Sequence, residues 1–357
     1  MSVAPYPLLL TPLLFPKVWG GDRLARFGKA VTPGDRVGES WELADMAATS
    51  ASGAGGGSAR TLIANGPLAG RTLAEAEAAF GSSGGGLLGA TRRMDGDFPL
   101  LVKFLDAREN LSVQVHPSPA YARAHAAAGA KLKTECWYIL DAEPGSVIYK
   151  GFRPGVTAAM VNDAVQGCKA SGGPGLLDLL QTVRAVPGQC HNLPSGTVHA
   201  LGAGVLVAEV QTPSDTTYRL FDWGRQGRAL HLEEGLACAL AAWDPAQADD
   251  LSRGATVAAF DAERAKIAGG WSRLVTTEFF TLDEARPAEG TALTIADAAS
   301  GPVAVLVLAG QVTATDAGEP VIARTGQTLL VPAASAAHGR LWASAGTQAL
   351  RAVLASA

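Results

Sequence analysis

The tetrapeptide Val113-Gln114-Val115-His116 sets two potential metal ligands two residues apart. On an extended strand successive side chains alternate, so Gln114 and His116 share one face with Ser112, and the valines take the other. Facing into a barrel, that pattern presents an amide oxygen and an imidazole, both competent toward a divalent cation. Lys133, Glu135 and Trp137 have common parity on the next expected strand, which sets a carboxylate beside an amine. Leu193-Pro-Ser-Gly-Thr-Val-His199 supplies a second imidazole from a turn that runs into a strand. Together these form a nitrogen–oxygen set without sulfur, suited to Zn²⁺, Fe²⁺ or Mn²⁺. Singly, each residue has a plainer reading: a hydrogen-bonded, half-buried histidine, or a solvated strand-end carboxylate. His125, His191, His231 and His338 lack ligand-like partners at useful spacing and read as structural or surface residues. Lys103 lies in the apolar run Leu100-Leu-Val-Lys-Phe-Leu105, where it is either an outward, snorkelling cation or an inward one that binds an anion.

Many short elements must position these residues. Strands are expected at 98–105, 111–115, 135–140, 146–149, 185–186, 191–193, 205–211 and 216–220, punctuated by turn residues. A helix is expected over 72–80, capped by Thr72, and another opens at Ser118-Pro119. Residues 157–166 and 176–181 form the sustained helical patch, read as an insertion between strands, and 233–243 is a further helix. The glycine-rich segment 51–58 reads as a mobile surface loop, 82–86 as a loose segment, and 244–270 as polar linker. Beyond it, short runs at 303–308, 311–315, 321–323, 328–331 and 349–354 have the cadence of a small jelly roll.

Composition narrows the class. The 357 residues include 29 Lys+Arg and 33 Asp+Glu, a net charge of −4, which argues against nucleic acid or an anionic membrane as the main partner. A small net charge still leaves room for a local basic pocket that takes a phosphorylated metabolite. No apolar run approaches the ~20 residues of a membrane span. The apolar stretch at 8–15 lacks a basic leader and is flanked and broken by Pro7 and Pro12, so it does not read as a signal peptide. Cys136, Cys168, Cys190 and Cys238 are widely spaced and form no CxxC pair, the pattern of reduced cytoplasmic thiols.

Phe98-Pro-Leu-Leu-Val-Lys-Phe-Leu105, Leu111-Ser-Val-Gln-Val-His-Pro117, Lys133-Thr-Glu135, Leu193-Pro-Ser-Gly-Thr-Val-His-Ala200 and Glu209-Val-Gln-Thr-Pro-Ser-Asp-Thr-Thr-Tyr-Arg219 occur in this order. With Trp19-Gly-Gly21 and Phe221-Asp-Trp-Gly-Arg225, they resemble the type I mannose-6-phosphate isomerases, a cupin family, from about residue 8 to about 235. The resemblance implies a mainly β protein: a cupin (jelly-roll) catalytic core over 1–245 with the helical insert at about 155–182. A linker and a smaller cupin-like barrel would follow over 246–357.

It further implies one zinc ion per chain, held by Gln114, His116, Glu135 and His199, with Arg219, Glu209 and Lys133 as catalytic positions. Lys103 and Ser112 match positions that contact the substrate phosphate. The Trp19 and Trp41 regions read as packing rather than substrate stacking. The turn Val186-Pro-Gly-Gln-Cys-His191 departs from the family, which commonly has an acidic residue there.

The implied reaction interconverts mannose 6-phosphate and fructose 6-phosphate by moving a proton between C1 and C2 through an enediol. That chemistry needs a base near the carbon acid and charge stabilisation on O1/O2. A guanidinium at Arg219 suits the second task. For the first, Glu209, Lys133 with a depressed pKa and a metal-linked group all remain open. A cytoplasmic enzyme of sugar phosphates is thus expected, without nucleic-acid or membrane partners, with monomer and homodimer both open. The alternatives are an Fe-dependent cupin oxygenase and a non-catalytic sugar-phosphate-binding cupin.

Overall fold

The strand Leu101–Ala107 is buried along its whole length because both faces are covered. Val102 and Phe104 point into one core, while Leu105 and Ala107 point into another. It is central in a six-stranded antiparallel sheet ordered Cys190–Leu193, Glu135–Ala142, Val205–Gln211, Leu101–Ala107, Leu13–Gly21, Val37–Leu43. The computed structural model describes residues 3–82, 85–171, 174–241, 265–295, 301–316, 318–336 and 339–355. His338, residues 83–84 of the loose segment and residues 244–264 of the expected linker lie outside these.

A five-stranded antiparallel sheet faces the first, ordered Leu180–Arg184, Val147–Phe152, His199–Leu201, Val113–Val115, Tyr218–Phe221. Trp19, Leu105, Trp137, Ile139, Ile148 and Val207 close one end of the space between the sheets. Polar side chains occupy the rest. The outer face of the five-stranded sheet carries Val113, Val115, Ala200 and Leu220. It is covered by Val161, Val165, Leu176 and Cys238 of the helices Ala158–Ser171, Pro174–Leu179 and Leu232–Ala241. The helical insertion therefore acts as the lining on which the metal-ligand strand is laid.

The outer face of the six-stranded sheet is buried as well. Phe104, Cys136, Tyr138, Ala208 and Val210 pack against Leu282, Leu306, Leu350 and Ala352 of an eight-stranded sheet. That sheet is built from the C-terminal strands together with Leu8–Thr11 and Leu62–Ile63, so the first strand of the chain pairs with Thr328–Val331. Its far face packs through Val303, Val305, Leu329 and Val331 on a four-stranded sheet bearing Leu293, Val312, Ala323 and Leu341. Among the described residues the protein is thus a stack of four large sheets with helices on one outer face and a separate two-stranded pair, Asp45–Met46 with Ala59–Arg60, a mainly β cupin architecture.

Local signals account for several elements. Thr72 and Glu75 form a reciprocal cap on the helix Leu73–Phe80, and Ser118 caps Pro119–Ala124 with proline in its first turn. In Trp19-Gly20-Gly21, a Cβ on Gly20 would lie 2.4 Å from the backbone nitrogen of Gly38, so glycine permits the close crossing of two neighbouring strands. Other expectations need correction. Leu180–Arg184 is a strand, so the helix read over 176–181 stops at Leu179. Ala265–Ile267, within the stretch read as linker, is an edge strand paired with Trp271–Thr276. Among the described residues no helix is long and apolar enough to cross a membrane.

Candidate metal centre

His116, Glu135 and His199 each offer one ligand atom, and these atoms lie within 4.8 Å of one another. Strand register brings them together: Gln114 sits opposite His199 on one side and Arg219 on the other. Glu135 begins the facing strand in the other sheet. His116 Nδ1 is 2.9 Å from the Thr216 carbonyl oxygen, and His199 Nδ1 is 2.8 Å from that of Thr197. A carbonyl oxygen only accepts, so each Nδ1 carries the ring proton and each Nε2 keeps its lone pair. Those Nε2 atoms face Glu135, at 3.6 Å from His116 to Oε2 and 3.2 Å from His199 to Oε1.

His116 Nε2 and Glu135 Oε1 are buried without a hydrogen-bond partner. Converging buried acceptors with no donor between them are costly unless a cation sits there, so the donor set fits a divalent metal. The Gln114 amide reaches the same point. Its Nε2 is placed 3.3 Å from His199 Nε2 and its Oε1 3.3 Å from Ser112 Oγ, and rotating the amide turns the oxygen toward the ligand cluster.

Charge around the cluster favours its ligand form. Burial, and then the Lys133 ammonium, lower the His116 imidazole to about 3, which keeps it neutral. Burial opposes ionisation of Glu135, yet the Lys133 ammonium beside it holds its carboxyl well below the usual range. Lys133 Nζ is 2.7 Å from Glu135 Oε2. Although burial opposes its charge, Glu135 and Glu209 raise the Lys133 pKa above that of an ordinary lysine. The depressed lysine entertained as a base is therefore not what the surroundings produce.

From the cluster a ladder of alternating charge runs outward across the six-stranded sheet. Glu209 Oε1 lies 3.7 Å from Lys133 Nζ and 3.3 Å from Lys103 Nζ. Lys103 lies 3.9 Å from Glu39, and Glu39 lies 3.1 Å from Lys17. Register aligns Trp41, Lys103, Glu209 and Trp137 in one row. Lys103 is inward, its ammonium 4.7 Å from the centre of the Trp41 ring. Glu209 Oε2 accepts from Trp137 Nε1 at 2.8 Å, while its Oε1 has no hydrogen-bond partner. Burial raises the pKa of Glu39, but Lys17, Lys103 and the Trp41 indole N–H outweigh it and bring the carboxyl down to about 2.

Every residue singled out in the sequence falls in this region. Lys103, Ser112, Gln114, Lys133, Glu209 and Arg219 line one cleft with about 530 Å³ of empty space, part of it open to solvent, and the three remaining ligands adjoin Gln114 and Lys133. The sequence reading assigned no role to other lining residues: Lys17, Glu39, Asp215, Thr217 and Arg228. Asp215 and Thr217 stand in the quoted run from Glu209 to Arg219, whereas Lys17, Glu39 and Arg228 are single charged residues with no ligand-like spacing to mark them. Trp19 and Trp41 are packed in cores, and both also line the cleft.

Two further residues lie close by. Lys150 is buried in register with His199, and burial lowers its pKa to about 8. His231, taken as structural, pairs with the backbone of Arg219.

The glycine-rich segment, read as a mobile surface loop, also contributes to the site. Ser52, Gly53 and Ala54 form part of the cleft wall. The Asp215 carboxylate accepts hydrogen bonds from the backbone N–H groups of Ser50 and Ala54 at 2.6 and 2.7 Å. Arg219 donates from Nη1 to the Ser52 carbonyl at 2.8 Å and from Nε to that of Ala229 at 3.1 Å.

Comparison with known proteins places this geometry. Residues 8–141 match the model of the phosphomannose isomerase type I catalytic domain. The chain is 38% identical over 241 residues to the Bacillus subtilis protein named probable mannose-6-phosphate isomerase GmuF, covering 65% of this chain and 67% of that one. It is 36% identical over 236 residues to mannose-6-phosphate isomerase ManA of the same organism, covering 64% and 67%. The crystal structure of the mannose 6-phosphate isomerase from Bacillus subtilis superposes with a TM-score of 0.75 at 26% identity, over 97% of this chain and 99% of that one. A zinc-bound mannose 6-phosphate isomerase shares the fold, with a TM-score of 0.65 at 16% identity over 97% and 99%. A ligand cluster on the strands where the motifs place it, inside a fold shared along nearly the whole chain, makes this protein a member of the type I phosphomannose isomerases.

Proposed function

We propose that the protein is a zinc-dependent aldose–ketose isomerase that interconverts mannose 6-phosphate and fructose 6-phosphate. The observation that carries this reading is the buried His116–Glu135–His199 cluster, with unprotonated Nε2 atoms turned inward, adjoining a cleft lined by Lys103, Lys133, Arg219 and Arg228. His116, Glu135 and His199, with Gln114 through its amide oxygen, would hold the zinc, which when bound supplies Lewis-acid polarisation of the sugar oxygens.

The chain's own residues then divide the work. Three carboxylates line the cleft: Glu39, Glu209 and Asp215. Glu39 is engaged by Lys17 and the Trp41 indole, and Asp215 by two backbone N–H groups. Glu209 alone of these has an oxygen without a hydrogen-bond partner, which supports it as the group that takes the proton from one carbon and returns it to the other. Lys133, kept charged by Glu135 and Glu209, and Arg219, with Nη2 uncommitted to any protein partner among the described residues, stabilise negative charge developing on O1 and O2. Lys103 and Ser112, with Arg228 at the rim, form the phosphate end of the cleft.

The sugar phosphate is the one partner this chemistry requires. Four free, buried cysteines suit a reducing compartment and support a cytoplasmic location. The reading is tested by assaying fructose 6-phosphate formed from mannose 6-phosphate before chelation, after chelation and after zinc is restored. Activity lost with the chelator and regained with zinc is the expected result. Absence of activity in the metal-loaded protein would overturn it.

A further inference from the structure

Arg219 is oriented by two backbone carbonyls from different parts of the chain, Ala229 and Ser52. A planar guanidinium held by two acceptors has its remaining donors aimed in a fixed direction. The Ala229 side is secured locally, because the His231 N–H donates to the Arg219 carbonyl at 2.8 Å. The Ser52 side depends on a loop that is largely exposed and offers few side chains to bury. Its internal bonds, from Gly53 N and Gly55 N to the Ser50 carbonyl at 3.1 and 3.0 Å, shape it without attaching it.

Attachment comes from the segment that carries Arg219. Asp215 binds the N–H groups of Ser50 and Ala54, and the Thr217 N–H donates to Ser52 Oγ at 3.2 Å. Contact is so close that a Cβ on Gly53 would lie 2.3 Å from Asp215 Oδ2 and 2.4 Å from the Asp215 carbonyl oxygen. Gly53 is not among the glycines with positive φ, so the contact, and not the backbone conformation, demands glycine here. Gly57 in the same loop has open space around its Cβ position and likewise lacks a positive φ.

We propose that the segment 50–54 of the glycine-rich loop is a positioning element for Arg219. It acts through the Ser52 carbonyl, and Gly53 is the residue that allows the loop to seat against Asp215. The proposal rests on the isomerase reading for its kinetic consequences, but the orientation of the guanidinium is measurable without turnover.

The test compares Gly53→Ala with Gly57→Ala in the zinc-loaded full chain. Gly53→Ala should lower kcat on the order of tenfold to a hundredfold, the scale of a small misplacement of a catalytic group, with zinc content and Tm preserved and KM little changed. Gly57→Ala should match the unsubstituted protein. In an Arg219→Ala background Gly53→Ala should cause no additional loss, because the two changes remove one function. Ser52→Ala, which loses the bond from Thr217, should act in the same direction as Gly53→Ala but less.

Independently of activity, the Arg219 guanidinium resonances, identified by their loss in Arg219→Ala, should exchange with solvent faster in Gly53→Ala than in Gly57→Ala. An equal loss from Gly53→Ala with and without Arg219, or unchanged guanidinium exchange, would overturn the proposal. An inactive unsubstituted protein would instead overturn the isomerase reading, leaving the exchange measurement to decide the loop's role.

Discussion

Two pairs of facing sheets occupy this molecule, and their interiors differ. Between the eight- and four-stranded sheets the space is filled by Val303, Val305, Val307, Val312, Leu329 and Leu341. Among the described residues one charged cluster enters it: Arg351 donates to Asp283 at 2.8 Å and to the carbonyls of Thr294 and Ile295 at 3.0 Å, over the face of Trp271, and Arg273 pairs with the other Asp283 oxygen. Between the six- and five-stranded sheets, by contrast, the charges form a ladder that ends at His116 Nε2 and Glu135 Oε1, atoms without hydrogen-bond partners. Burying charge does not by itself make a site. Charge whose coordination is complete fixes a structure, whereas charge left incomplete beside a cleft is available for chemistry.

Substitutions sharpen the contrast. The largest effect is expected from His199→Ala, which should remove bound zinc and activity together, read by metal analysis and the isomerase assay. Full activity without metal would break the ligand assignment. Arg219→Ala should keep zinc and fold while cutting turnover by roughly two or more orders of magnitude, the cost of losing a transition-state charge partner.

In the filled interior, Arg351→Ala should lower the unfolding free energy in urea by about 1–3 kcal/mol, since one Asp283 oxygen and the Thr294 and Ile295 carbonyls lose their donor while Arg273 still pairs with Asp283, with zinc stoichiometry unchanged. Lys103→Ala should raise KM for mannose 6-phosphate on the order of tenfold, the value of one charge-assisted hydrogen bond, and leave that for unphosphorylated mannose alone. Equal loss with both sugars would remove Lys103 from the phosphate end.

The smallest effect concerns acid. Glu39 falls from the ordinary 4.5 to about 2 on folding, so between those values the unfolded chain binds more protons. The stability it contributes is present above about pH 4.5 and is lost as pH falls toward 2. Glu39→Gln should flatten that part of an acid-unfolding curve.

What could be read beforehand follows the range of the forces involved. Strand parity is local, so the common face of Ser112, Gln114 and His116, with Val113 and Val115 opposite, was legible without coordinates. Helix starts at Thr72 and Ser118 are local in the same way. Lys103 was ambiguous because both faces of its strand are buried, so polarity could not mark the inside. Trp271–Thr276 and Phe280–Ala285 were not recognised as strands, since Arg273 and Asp283 interrupt their apolar pattern and find partners only across the sheet. The anchoring of the loop at 51–58 was not legible because composition reports side chains, whereas Asp215 holds it by backbone N–H groups.

The pairing of Leu8 and Leu9 with Leu330 and Leu329 also bears on how the protein is made. During synthesis the first strand can pair early with Leu62–Ile63 through Leu10 and Thr11, but its Leu8 and Leu9 edge stays open until Leu329 and Leu330 have followed. The outer face of the six-stranded sheet, with Phe104 and Tyr138, is exposed over the same interval. Such a topology delays its closing contacts and leaves apolar surface open to association, so newly made chains should depend on chaperones more than the stability of the finished molecule suggests.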